Sequence, residues 1–143
     1  MQALVRLPDG TGQTLKVEGM KDACRQAWRI GAKSLVCMDE ETWTFTRSDL
    51  LGMIGLGRPG LFSSYSDKWQ PPTLGEYKEL LRLIDLPSSR GSNIVGIDPS
   101  EMRKWSLMEG KVPYWAWRLL SIYAGIVIPD SLPGLEYRPA LSL

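Results

Sequence analysis

The sequence predicts an α+β chain, a small N-terminal ββαββ module followed by an all-α domain. Three observations predict it. Within the first 46 residues, short runs of alternating apolar and polar residues flank one amphipathic helical stretch. A Gly-, Ser- and Pro-rich stretch then interrupts the pattern. Beyond Pro71-Pro72 the apolar spacing becomes three and four, the period of a helix face. With 143 residues, 43% hydrophobic, and a formal net charge of +1, the chain suits one compact domain or two small ones sharing a core.

In order along the chain, residues 2–7 read as a strand, Pro8-Asp9-Gly10-Thr11-Gly12 as a turn, and Gln13–Val17 as the returning strand of a hairpin. Met20, Ala23, Cys24, Ala27 and Trp28 share a helical face, and Gly31 stands where a C-cap glycine belongs. Ser34–Met38 and Thr42–Thr46 form a second hairpin about the acidic turn Asp39-Glu40-Glu41. Such a sheet leaves two edge strands open to another chain, so a homodimer is expected. Thr46 and Asp49 predict a capping box for a short helix ending near Ile54, closing a module over residues 1–54. Gly55-Leu56-Gly57-Arg58-Pro59-Gly60 matches G-x-G-x-x-G. With Pro59 inside it and poor helix material after it, it reads as part of a linker over 55–72 rather than a nucleotide site.

Absences narrow the function. There is no histidine, and Cys24 and Cys37 are the only cysteines, so the usual zinc sites and His-dependent nucleophilic catalysis are excluded. The cysteines read as buried small hydrophobes rather than a bridge. No metal, cofactor or enzymatic activity is expected. The acidic turn at residues 39–41 reads as a solvated charge cluster, not an acid/base pair. No run approaches the ~20 apolar residues of a membrane span. The first residues lack a secretory pattern, so a cytoplasmic protein with no membrane partner is expected. Six tryptophans spread along the chain favour packing over one stacking platform.

The all-α part opens with Thr73-Leu74-Gly75-Glu76, a capping box, and Leu74, Tyr77, Leu80, Leu81 and Ile84 continue it as a helix of about three turns. A shorter helix is expected over Ser88–Val95. Gly96 then serves as a turn glycine, with Ser92 four residues before it and Ile94, Val95 and Ile97 at the junction. Asp98-Pro99-Ser100-Glu101 starts the next helix, with Asp98 as N-cap, Pro99 at the first position and Glu101 closing a capping box. Met102 and Trp105 fall on one face, and Ser100, Arg103 and Lys104 on the other. A last helix starts at Pro113 and ends at Gly125, with Trp117, Leu120 and Tyr123 on one stripe and Tyr114 and Trp115 free to meet a partner.

This combination resembles the helix-turn-helix superfamily of Cro and lambda-repressor-like DNA-binding domains. The resemblance covers roughly residues 73–125, leaving 126–143 as an extended tail. Trp105 and Glu109-Gly110-Lys111-Val112-Pro113 are similar to the stretch that closes the recognition helix in that family. Trp105 and Gly110 stand five apart where the family has three, and Ser92 replaces its usual alanine. The resemblance implies an all-α helix-turn-helix domain that binds double-stranded DNA, in a small phage or prophage regulator that represses by occupying an operator. Arg103 is then the base reader, because a guanidinium pairs bidentately with guanine. Lys104, Arg90, Lys111 and Ser89 contact phosphates, and Ser100 reaches a base or a phosphate.

Charge weighs against a strong electrostatic footprint. Residues 71–143 carry eight basic and eight acidic side chains, and residues 88–118 carry five against three. The competing expectation is a protein-interaction module, such as a phage accessory or anti-defence protein, with the helix-turn-helix as scaffold.

Overall fold

A computed structural model describes residues 1–39, 41–84, 96–107 and 112–128 of the protein. Strands β1 (Gln2–Arg6) and β2 (Gly12–Lys16) form the first hairpin, helix α1 (Met20–Arg29) follows, and β3 (Ser34–Met38) and β4 (Glu41–Thr46) form the second. Then come α2 (Arg47–Met53), α3 (Leu74–Leu83), α4 (Pro99–Trp105) and α5 (Tyr114–Tyr123). The sheet is antiparallel throughout, in the order β2-β1-β3-β4, so β2 and β4 are its edges.

Local chemistry sets these elements. The first turn is held by Asp9, whose Oδ1 accepts from the Thr11 N–H (2.9 Å) and hydroxyl (2.6 Å). Helix α1 lays Ala23, Cys24, Ala27 and Trp28 onto Ala3, Val5, Leu15 and Leu35 of the sheet, all of them buried. It stops at Gly31 (φ 74°), where the Gly31 and Ala32 N–H groups donate to the Trp28 and Ala27 carbonyls, each at 3.0 Å. The Thr46 N–H and hydroxyl both donate to Asp49 Oδ2 at 2.9 Å, so α2 starts where the Thr46/Asp49 spacing places it. The Thr73/Glu76 capping box of α3 forms likewise.

The expected architecture, a self-contained ββαββ module followed by an all-α helix-turn-helix domain, is not what the chain adopts. Strands and helices interleave: α2 follows directly on β4 and packs against α1 and the sheet, and α3 packs against α1 in turn. Buried residues from Ala3 to Leu120 belong to one hydrophobic cluster. The physical reason is area. Strands of five or six residues offer too little apolar surface to close a core alone, so the helices complete it.

Polar contacts stitch the same seam. Arg25 on α1 meets Glu79 on α3 in a bidentate pair (2.7 and 3.0 Å), and Arg82 joins at 3.0 Å. Arg29 donates to the Leu83 carbonyl (2.8 Å) and the Arg82 carbonyl at the end of α3. Arg47 covers the Trp28 ring (3.8 Å to its centroid) and donates to the Trp28 and Ala32 carbonyls, both at 3.1 Å. The Trp28 indole N–H reaches the Ala124 carbonyl at 2.8 Å.

Residues 55–72 contain no helix or strand, yet Leu56 and Leu61 are buried within the cluster. Two glycines of the G-x-G-x-x-G match have structural explanations. Gly55 ends α2, and a Cβ on Gly60 (φ 84°) would lie 2.4 Å from the Lys68 carbonyl oxygen. Arg58, from the same stretch, pairs bidentately with Glu76 (3.0 and 2.8 Å) and donates to the Pro71 carbonyl (2.7 Å).

Candidate nucleic-acid interface

Helix α4 is short and well specified. Gly96 adopts φ 73°, a conformation that costs other residues a steric penalty, and turns the chain into the helix. Asp98 Oδ1 accepts from the Ser100 N–H (2.8 Å) and hydroxyl (2.7 Å), and Pro99 stands where no N–H is needed. Those two bonds from Ser100, with the charges of Arg103 and Lys104 behind them, hold the Asp98 carboxyl below its ordinary pKa. The spacing predicted that Glu101 would close the capping box. Its carboxylate instead takes Lys104 at 3.3 Å.

The helix presents two unlike faces, as the sequence periodicity requires. Met102 and Trp105 are buried. The Tyr77 hydroxyl donates to the Met102 carbonyl at 3.2 Å, and the same carbonyl accepts from the Ser106 N–H and hydroxyl, each at 3.1 Å. Burial pushes the Tyr77 phenol pKa up, against a lowering contribution from Ser106. The Trp105 ring lies between Tyr77 (6.4 Å, edge-on) and Trp115 (6.1 Å, edge-on), so α3 and α5 brace α4 from behind.

Ser100, Arg103 and Lys104 are exposed on the opposite face, and the N-terminal half of the chain does not cover them. They are not equivalent. The Ser100 hydroxyl is spent on Asp98 and the Lys104 ammonium on Glu101. The Arg103 guanidinium makes no hydrogen bond or ion pair with another described residue. Ser89, Arg90 and Lys111, and the helix expected over Ser88–Val95, lie outside the described residues.

Sequence reasoning missed two residues here. Tyr77 was visible only as an apolar position. Leu107, 78% exposed, continues the outward face, and its spacing from Ser100, Arg103 and Lys104 was the available signal. Trp115, 58% exposed, was singled out for a partner, while its edge contact with Trp105 was not foreseen. Tyr114 packs against Tyr65 (5.0 Å) and Trp69 (5.2 Å). Of the expected stripe on α5, Trp117 and Leu120 are buried but Tyr123 is 53% exposed, because Ala116 and Ser121 complete the inward face instead.

Among the described residues, no group of three or more Cys, Asp or Glu side chains could hold a metal ion, and no helix is long and apolar enough to cross a membrane. Both cysteines are free.

The chain is similar to bacterial transcriptional repressors. One, the transcriptional repressor protein KorC of Escherichia coli, is 33% identical over 64 residues, which is 43% of this chain and 75% of that protein. A second Escherichia coli KorC is 31% identical over 64 residues, with the same shares covered. The chain belongs to the KorC family. No protein-family model matches it, and no solved structure matches it.

Proposed function

We propose that the protein is a sequence-specific double-stranded DNA binder, a phage or prophage transcriptional regulator that represses by occupying an operator as a homodimer. The observation that carries this reading is the outward face of α4, where an exposed guanidinium with no hydrogen bond or ion pair among the described residues stands beside Ser100 and Lys104 on a helix anchored from behind by Met102 and Trp105. Membership in a family whose named relatives are transcriptional repressors supports it. In this reading α4 enters the major groove as the recognition helix of a helix-turn-helix. Arg103 reads guanine, Ser100 reaches a base or a phosphate, and Lys104, Ser89, Arg90 and Lys111 fix the register on phosphates.

The test is an anisotropy titration against duplexes selected from a random pool, at two salt concentrations. Binding should weaken with salt along a negative log–log slope. A slope near zero, or no binding at low salt, removes the reading. Arg103→Ala should lower specific binding by roughly 1–3 kcal/mol with the melting temperature unchanged. Equal loss on unrelated DNA would make Arg103 a phosphate contact. The second reading, a protein-interaction module, is favoured by the exposed Trp115 ring and by the eight-against-eight charge balance of residues 71–143. The same titration separates the two.

A further inference from the structure

A solitary surface leucine needs no explanation. Leu107 is not solitary in its placement. Ser100, Arg103, Lys104 and Leu107 stand at spacings of three, four and seven, which is one stripe of a helix. Leu107 follows the Ser106 cap of α4 in a closing turn: Ser106 keeps a right-handed backbone (φ −75°, ψ −12°), and the Leu107 N–H donates three residues back to the Lys104 carbonyl at 3.1 Å, which keeps Leu107 near its place on the stripe. At 78% exposure, Leu107 is the apolar member of an otherwise polar and basic face.

This stripe is about 10 Å long, the rise of seven helical residues, and spans about three base-pair steps. Leucine carries no side-chain donor or acceptor, so it cannot hold a phosphate or pair with a polar base edge. In the major groove one standard base offers an apolar group, the C5-methyl of thymine. We infer that Leu107 is a specificity-determining residue of this face, selecting a thymine by its C5-methyl about two base pairs from the base met by Arg103. The inference rests on the DNA-binding reading above.

The experiment uses the full chain. A duplex enriched from a random pool is compared with versions in which each thymine in turn is replaced by deoxyuridine, which removes only the methyl group. One replacement should weaken the wild-type protein about fourfold, the worth of one buried methyl, and leave Leu107→Ala unaffected. A residue that only shaped the helix would lower affinity for both duplexes alike. Equal melting temperatures of the two proteins exclude unfolding as the cause. If no duplex is enriched, the DNA-binding reading fails and this inference falls with it. If duplexes are enriched but wild type and Leu107→Ala treat thymine and deoxyuridine alike, this inference alone is overturned and the leucine belongs to a protein contact.

Discussion

Helix α3 is gripped on two sides by different chemistry. Toward α1 the hold is ionic: Arg25 pairs with Glu79, which Arg82 of the same helix also engages, and Arg29 takes carbonyls at the helix end. Toward α4 it is aromatic: Tyr77 meets Trp105 edge-on, and one phenol hydrogen bond reaches the Met102 carbonyl. An ionic seam requires both partners to stay charged after partial desolvation, so it depends on pH and fails badly when one partner is lost. An aromatic brace works by buried area and shape, and pH leaves it alone. The candidate DNA-facing helix is held by the second kind.

Trp105→Ala is the largest way to break the contrast. Removing the ring from behind α4 should cost about 3–5 kcal/mol in a urea unfolding curve. An unchanged midpoint would contradict the brace.

Glu79→Gln should cost about 2–3 kcal/mol, less than breaking a fully buried pair, because Arg25 retains some exposure. Its pH signature is more telling. Burial alone would raise the Glu79 pKa, but hydrogen bonds from Arg25 and Arg82 outweigh it and hold the value below the ordinary 4.5. Burial and the Arg58 bond oppose each other at Glu76 with the same outcome. A folded-state pKa below the unfolded one means that this stabilisation is complete above about pH 4.5 and is lost as pH falls through the folded value. Stability measured from pH 7 down to pH 3 should therefore fall less steeply in Glu79→Gln than in the wild type. Parallel curves would refute the ionic account.

Tyr77→Phe should have the smallest effect, about 1 kcal/mol, because the ring stays and Ser106 still serves the Met102 carbonyl. A loss as large as that of Trp105→Ala would mean that the hydroxyl, not the ring, positions α4.

What the sequence made legible was local. The caps at Thr46, Thr73 and Asp98 and the helix stops at Gly31 and Gly125 are written within four or five residues of where they act. The two faces of α4 follow from the spacing of Met102 and Trp105, which sets Ser100, Arg103 and Lys104 on the outward side. What was not legible joins distant positions. Arg25 and Glu79 are 54 residues apart, Trp28 and the Ala124 carbonyl 96, and Trp117 donates to the Leu61 carbonyl across 56. Those contacts tie the sheet to the helices, and periodicity within one element carries no information about them. The same blindness applies to Tyr123, which shares a stripe with the buried Trp117 and Leu120 yet is exposed. Helical spacing defines a stripe but not where the neighbouring surface ends.

The buried cysteine of α1 has a practical consequence. Cys24 has no exposed surface, and burial lifts its thiol pKa to about 11, with the Arg25 charge only partly offsetting it. At neutral pH a thiol in that condition is almost entirely protonated and beyond the reach of an alkylating reagent. Modification waits for α1 to lift from the strands, so the labelling rate clocks how often the molecule breathes, with the half-buried Cys37 as an internal reference.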